Sequence, residues 1–377
     1  MRILTINHSE ITEIGGVNKT VRRLSEELQK RGHQCTVLQL NDGNLAKEEY
    51  LQGVRVIRVK SRISRYTYDL NFSLLHFLAQ HLGEIDPDII HVHHYRSLLT
   101  PEVLLLLRRR GYPIVITPHY ERLGHNTLAG RYLFTLYRNA TKQMLQWPDK
   151  VVANTEYTKK LLVEDFELEA EKVAVIPNGV DRIELHEKGR IKRSANPEIN
   201  LLSAGYLDEK KGIQYMLCAL RELRNKGYRA RLTVIGKGGF KPTLERVARE
   251  CGVDDLISWE EPVPQDELYQ KLADADIFFL LSREESYGIV VAEALAMGTP
   301  CIVSNTTALG EFTREPGCFG IDYPANPKEL SDLVLRICTD GMRVGPFSDK
   351  IRTWENIAAD YERLFQGAID SHRRQKE

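Results

Sequence analysis

From end to end, the chain alternates short apolar runs with longer stretches whose apolar positions recur every three to four residues. The short runs predict strands at 2–6, 35–40, 54–59, 88–93, 114–119, 150–155 and 173–178. A second series follows at 200–207, 231–236, 276–281 and 300–305. These runs are β-branched and apolar at consecutive positions, the pattern of strands covered on both faces, so parallel sheets flanked by helices are expected. The rhythm breaks between Asp181 and Asn200, where a polar stretch with few large apolar side chains carries Gly189 and Pro197. An α/β protein of two doubly wound, Rossmann-like domains is therefore predicted, with residues 1–185 and 200–358 joined by a linker at 186–199. Helical periodicity over 351–369 lies beyond the second sheet. Doubly wound domains bind ligands beyond the C-terminal ends of their strands, so a central cleft faced by both domains is the default site.

Composition narrows the class. A length of 377 residues exceeds one comfortable core, in keeping with two domains. Lys and Arg together number 52, as do Asp and Glu, so no global charge points to a nucleic-acid partner or a membrane. The six cysteines form no CxxC pair and no metal-like spacing, and read as reduced, mostly buried thiols of a cytoplasmic protein. MRILTINHSE is not a signal peptide, because Asn7, His8 and Glu10 follow a very short apolar run. The strongest apolar run, 98–107, is interrupted by Pro101 and Glu102 and ends in Arg108, Arg109 and Arg110, well short of the ~20 residues of a membrane span.

The richest chemistry lies at 276–300, DIFFLLSREESYGIVVAEALAMGTP. A strand stops at Leu281, a polar loop carries Glu285, and a helix opens at Gly288, contains Glu293 and stops at Gly298. Such a strand–loop–helix turn points unpaired backbone N–H groups at an anion. On one helix, the two acids would lie roughly 12 Å apart, too far for the ~5 Å pair of a retaining glycosidase. They read instead as separate binding groups, or as a solvated loop acid and a helix-surface acid. Gly15 and Gly16 sit between the first strand and a helix, where their N–H groups either approach a phosphate or sugar or form a plain tight turn. No GxGxxG is present, which counts against a nicotinamide dinucleotide. Lys210 and Lys211 either neutralise a ligand or decorate a solvated helix start. His91 and His93 share one strand face and His94 the other, so three metal ligands do not converge from this strand.

Taken together, EESYGIVVAEALAMGTPCIVS, Gly15-Gly16 before VNKTVRRLSEEL, RGHQCTVL, PDIIHVHH, ITPH, VVANTEYTKKLL and VIPNGVD are similar, in their order and over nearly the whole chain, to the retaining GT-B glycosyltransferases of family 4. The resemblance implies a GT-B fold with an N-terminal acceptor-binding domain, a C-terminal nucleotide-sugar domain and a final helix, about 359–377, packing back on the first. It implies transfer of a sugar from a UDP- or GDP-sugar to a hydroxyl acceptor (a glycan, lipid-linked sugar or small metabolite), with retention of configuration and no metal or other cofactor. By resemblance, His119, Lys211 and Glu285 are catalytic. Gly15, Gly16, Tyr206, Lys211, Gly236, Val263, Glu285, Tyr287, Gly288, Ile289, Val290 and Glu293 contact the donor, with Glu293 on the ribose and Glu285 near the transferred sugar. Gly236 and Val263 fall in segments, 234–240 and 261–268, that read equally well as ordinary loops. Tyr206 departs from the family pattern, because it replaces an arginine and so loses a charged, bidentate phosphate contact; Lys210, Arg283 or Lys237 are candidates to compensate.

The stretches 65–78 and 130–147 mix aromatic and basic residues. They read as a core-packing face with snorkelling cations, or as an acceptor groove that contacts a membrane peripherally at its inner face. Two other functions remain compatible with the sequence. A nucleotide-sugar epimerase would alter the donor with no acceptor present, and a non-catalytic nucleotide-sugar-binding partner of another transferase would bind without turnover.

Overall fold

The computed structural model describes residues 1–41, 45–60, 72–95, 99–122, 128–181, 198–340 and 351–376. The chain forms two compact units, one of Met1–Gly179 with Thr353–Glu377 and one of Val180–Arg352.

The first unit is built on strands β1 (Arg2–Ile6), β2 (Gln34–Asn41), β3 (Glu48–Leu51), β4 (Val54–Lys60), β5 (Ile89–His93), β6 (Ile114–Thr117), β7 (Lys150–Ala153) and β8 (Val173–Val175). They lie in the order β3-β4-β2-β1-β5-β6-β7-β8, all parallel except the β3–β4 pair. Between them run α1 (Gly16–Lys30), α2 (Phe72–Ile85), α3 (Leu99–Arg110), α4 (Leu128–Thr141) and α5 (Glu156–Phe166). The strands read as continuous apolar runs because both faces are covered: Leu4, Ile90 and Ile116 pack in one cluster, and Ile3, Ile89 and Val115 in another. A buried charge in this unit is paired. Arg58 on β4 donates from Nε to Glu10 Oε2 at 2.6 Å and from Nη2 to Glu10 Oε1 at 3.1 Å.

The second unit carries β9 (Ile199–Ala204), β10 (Ala230–Ile235), β11 (Ile257–Glu260), β12 (Ile277–Leu280), β13 (Cys301–Ser304) and β14 (Cys318–Ile321), ordered β11-β10-β9-β12-β13-β14 and parallel throughout. Its helices are α6 (Ile213–Asn225), α7 (Lys241–Cys251), α8 (Gln265–Asp274), α9 (Ile289–Ala296) and α10 (Pro327–Asp340). The last helix, α11 (Trp354–Arg374), returns to the first unit and packs on α1. Thr353 caps it, its Oγ1 accepting from Asn356 N–H at 3.4 Å. Trp354, Ile357, Tyr361, Phe365 and Ile369 recur at helical spacing and are buried, each large side chain contributing about 2 kcal/mol by removal from water.

Every strand expected from the sequence is present, generally shorter at its C-terminal end. The sequence reading did not anticipate β3, β11 and β14. The contact boundaries fall at 179/180 and 352/353, whereas the composition suggested 185 and 358. Val180 is already fully buried in a cluster of the second unit with Ile351, and its N–H bonds Arg352 O at 2.9 Å. The final helix likewise starts at Trp354 rather than about 359. The linker expected at 186–199 lies outside the described residues up to 197, and Ile199 already opens β9. No helix among the described residues is long and apolar enough to cross a membrane.

Candidate active site

In the second unit, two loops are stitched together at the C-terminal ends of β9 and β12. After Ala204 the chain turns through Gly205, Tyr206 and Leu207 into a 3-10 turn at Glu209–Lys211. Gly205 N–H bonds Ile235 O and Leu207 N–H bonds Lys237 O, both at 2.9 Å. Gly236 permits this approach: its φ is +151°, and a Cβ there would lie 1.8 Å from Gly205 O. Asp208 caps the turn by accepting from Lys210 N–H at 3.1 Å, and Lys210 O accepts from Arg283 N–H at 2.7 Å. This last bond ties the loop after β12 to the turn and brings two distant side chains together. Lys211 Nζ donates to Glu285 Oε2 at 2.7 Å, with both side chains largely buried. Tyr206 is 58% exposed and borders a recess formed with Ala204, Lys211, Ile235 and Leu280.

Past Glu285, the chain enters α9 through Gly288, whose φ of +93° places it in the left-handed region and whose position is capped by no side chain. The Tyr287 ring, expected at the donor site, is turned into the core, edge-on to Phe312 at 5.3 Å. Burial pushes its phenol above its ordinary range. Val263 is half-buried against the same cluster, and Ile289 and Val290 are half-buried at the start of α9. Glu293 is inside the helix and 2% exposed. Its carboxylate accepts from Gln265 Nε2 at 3.2 Å and lies 3.4 Å from the Tyr269 hydroxyl, which also reaches Asp181 Oδ2 at 2.6 Å. Glu285 and Glu293 thus belong to different networks. The partners of Glu293 escaped the sequence reading, because Gln265 and Tyr269 come from α8 and meet it only through α8–α9 packing.

The first unit holds the other expected residues. Gly15 and Gly16 are exposed where α1 begins, with no side-chain cap. Asn18 anchors that turn, its Oδ1 accepting from Asn7 Nδ2 at 3.2 Å and from Ser9 Oγ at 2.6 Å. His119 follows β6 with φ +46°, a conformation non-glycine residues rarely adopt. That turn aims its ring at β5, where His119 Nε2 lies 3.0 Å from His93 Nδ1 and the two rings stack. His91 and His93 share one face of β5 with ring centroids 4.1 Å apart, and His94 instead meets His8 edge-on at 5.5 Å. Burial pulls His91 down to about 3, and burial together with His94 and His91 does the same for His119. His93 lies well below the usual range, from burial and the neighbouring rings. No group of three or more His, Cys, Asp or Glu among the described residues is arranged to hold a metal ion.

Residues 14–183 match the Glycosyltransferase Family 4 profile, and residues 186–354 match Glycosyl transferases group 1. The chain is 26% identical to an uncharacterized glycosyltransferase of Methanocaldococcus jannaschii, over 95% of each protein. It is 25% identical to the alpha-monoglucosyldiacylglycerol synthase of Streptococcus pneumoniae, over 100% of this chain and 88% of that one. Its fold is similar to that of sucrose-phosphate synthase from Thermosynechococcus elongatus, with a TM-score of 0.80 at 18% identity over 98% and 99% of the two chains. Anabaena HepE in complex with UDP and glucose gives 0.70 at 17% identity, over 99% and 97%.

Proposed function

The chain belongs to the glycosyl transferases of group 1, with a family 4 N-terminal half, and from that premise we propose that it transfers a sugar from a UDP- or GDP-sugar to an acceptor hydroxyl, with retention and without a metal. The observation that carries this reading is the Lys211–Glu285 pair beside the uncapped start of α9. A lysine, a helix N-terminus and the nearby Lys210 and Arg283 together supply positive charge for a departing diphosphate. Glu285 holds the ammonium in place until a phosphate competes for it, and Glu293 accepts from a ribose diol. In this scheme, the sugar C1–O bond to phosphate breaks and a C1–O bond to the acceptor forms on the same face. The acceptor proton passes to the departing phosphate oxygen. The exposed Tyr206 contributes one hydrogen bond where the family arginine would contribute two, so Lys210 and Arg283 carry more of the charge.

Gly15, Gly16 and His119 are assigned to the donor by the same proposal. For the acceptor, 65–71 lie outside the described residues, and Leu74, Leu78, Met144 and Leu145 pack in the core. Tyr132 and Leu136, one turn apart on α4, are 65% and 46% exposed and support a peripheral contact with the inner face of a membrane.

The test is a thermal-shift screen of UDP, GDP, ADP and their sugars with EDTA present, where a ligand at 100 times its Kd adds about 2.7 kcal/mol. We expect UDP or GDP to stabilise the protein, product with the donor's anomeric configuration, and loss of both binding and transfer in Lys211→Ala. Glu285→Ala should lose transfer while UDP or GDP still raises the variant's melting temperature. No shift with any nucleotide overturns the donor site. Conversion of the donor sugar with no acceptor present would instead mark an epimerase.

A further inference from the structure

Five side chains of the first unit join in one hydrogen-bonded file. It starts on α11, where the Tyr361 hydroxyl lies 3.3 Å from Thr117 Oγ1. Thr117 Oγ1 is 2.8 Å from His91 Nε2, His91 Nδ1 is 3.2 Å from His93 Nε2, and His93 Nδ1 is 3.0 Å from His119 Nε2. The first four residues are at most 1% exposed, and His119 is half-buried. The file therefore runs out of the core beneath α11 and leaves His119 Nδ1 at its end.

Burial keeps the three rings neutral at ordinary pH. A neutral imidazole has one N–H and one bare nitrogen, so three rings linked in series must all be polarised the same way. Two ring polarities satisfy this. In the outward one, Tyr361 O–H donates to Thr117, Thr117 O–H to His91 Nε2, His91 Nδ1–H to His93 Nε2, and His93 Nδ1–H to His119 Nε2. The His119 proton is then on Nδ1. In the inward one every ring bond reverses and His91 Nε2–H donates to Thr117 Oγ1, so that, whichever way the two hydroxyls turn, the Thr117 or the Tyr361 hydrogen finds no acceptor among the described residues. An undonated hydroxyl in the core is penalised by about tenfold or more in population, so the outward arrangement prevails.

We infer that Thr117, His91 and His93 are positioning residues that fix His119 as its Nδ1–H tautomer, so that it offers a hydrogen-bond donor to an oxygen of the bound ligand. The catalytic consequence rests on the proposed placing of His119 against the donor sugar. The tautomer itself is a property of the unliganded chain. A donor fixed in this way holds a sugar oxygen without bringing in a charge.

Long-range proton–nitrogen spectra of the full chain labelled with nitrogen-15 histidine test this at neutral pH, with His119 assigned by its loss in His119→Gln. The wild type should show a bare Nε2 and a protonated Nδ1. Thr117→Val removes the hydroxyl that polarises the file and should move His119 toward an even mixture of tautomers, with Thr117→Ala serving if Thr117→Val does not fold. Tyr361→Phe keeps the ring against His91 and Phe365 and leaves the Thr117 hydroxyl only His91 Nε2 to donate to, so it should keep the wild-type tautomer. With the sugar nucleotide that proves active, Thr117→Val should lower kcat about twofold at unchanged KM for the nucleotide, and Tyr361→Phe should leave both unchanged. An Nε2–H tautomer in the wild type, a doubly protonated ring, an unmoved His119 signal in folded Thr117→Val, or a moved one in Tyr361→Phe overturns the inference. Failure of every nucleotide to bind would overturn the donor reading and leave the tautomer result standing.

Discussion

Gly288 sits where the loop carrying Glu285 becomes α9, and replacing it with alanine tests how tightly that turn is specified. Its φ of +93° is a region where an L-residue is disfavoured by about 1–2 kcal/mol. The new Cβ would also lie 2.4 Å from Leu309 Cδ2, about 1 Å inside ordinary contact. Leu309 is fully buried in the same cluster as Phe312 and Tyr287, so relief requires an off-rotamer side chain or a shifted helix start, about 1–3 kcal/mol more. The reduced entropy of the unfolded chain returns a fraction of this, about 0.5 kcal/mol. Gly288→Ala should therefore destabilise the second unit by about 3 kcal/mol, read as a lowered urea midpoint at constant slope. The steric part is separable. Leu309→Ala removes the opposing methyl and by itself leaves a cavity worth about 2–5 kcal/mol. In the double variant, only the backbone strain of the new alanine should remain on top of that cavity, so the combined loss should fall short of the sum of the two single losses by about 1–3 kcal/mol. Additivity within about 0.5 kcal/mol, or a neutral Gly288→Ala, would refute the reasoning.

Two further outcomes follow from the first unit. Arg58→Met should cost about 3–5 kcal/mol, because it strands the buried Glu10 carboxylate, which Arg58 and Gln39 hold below its usual range despite the opposing pull of burial. Arg58→Met with Glu10→Gln should recover most of the loss in the same urea titration, and a double variant no better than the single would show that the ion pair is not the cause. Separately, His91 titrates near 6.5 when unfolded and about 3 when folded, so stability is complete above pH 6.5 and falls as pH drops toward 3, by about 2 kcal/mol for this ring at pH 5. The wild-type urea midpoint should fall between pH 7.5 and 5.0 more steeply than that of His91→Gln, and equal slopes would rule the ring out.

How much of this was legible in the sequence depended on whether a feature was local. Interior strands announced themselves, because a strand covered on both faces must be apolar at consecutive positions, as in Ile277–Leu280. The unanticipated strands are all edges of the two sheets. β3 is Glu-Glu-Tyr-Leu with alternating exposure, β11 is half-exposed, and β14 carries Gly320, so none presents a continuous apolar run. The same division runs through the sites. The equal face of His91 and His93 follows from the period of two along one strand, but His119 joins them only through the β5–β6 register and a left-handed backbone after Pro118. Tyr361, which ends that file, comes from a helix 244 residues after Thr117, and no spacing signals it. Lys211 and Glu285 show the reverse limit, because each was marked for a ligand from its own loop. Their mutual ion pair depends on Arg283 N–H reaching Lys210 O, and a main-chain bond between two loops is written in no side-chain pattern. The residues that meet a ligand were therefore easier to name than the residues that hold them still, since the former must be particular side chains and the latter need only fall at the right place in the fold.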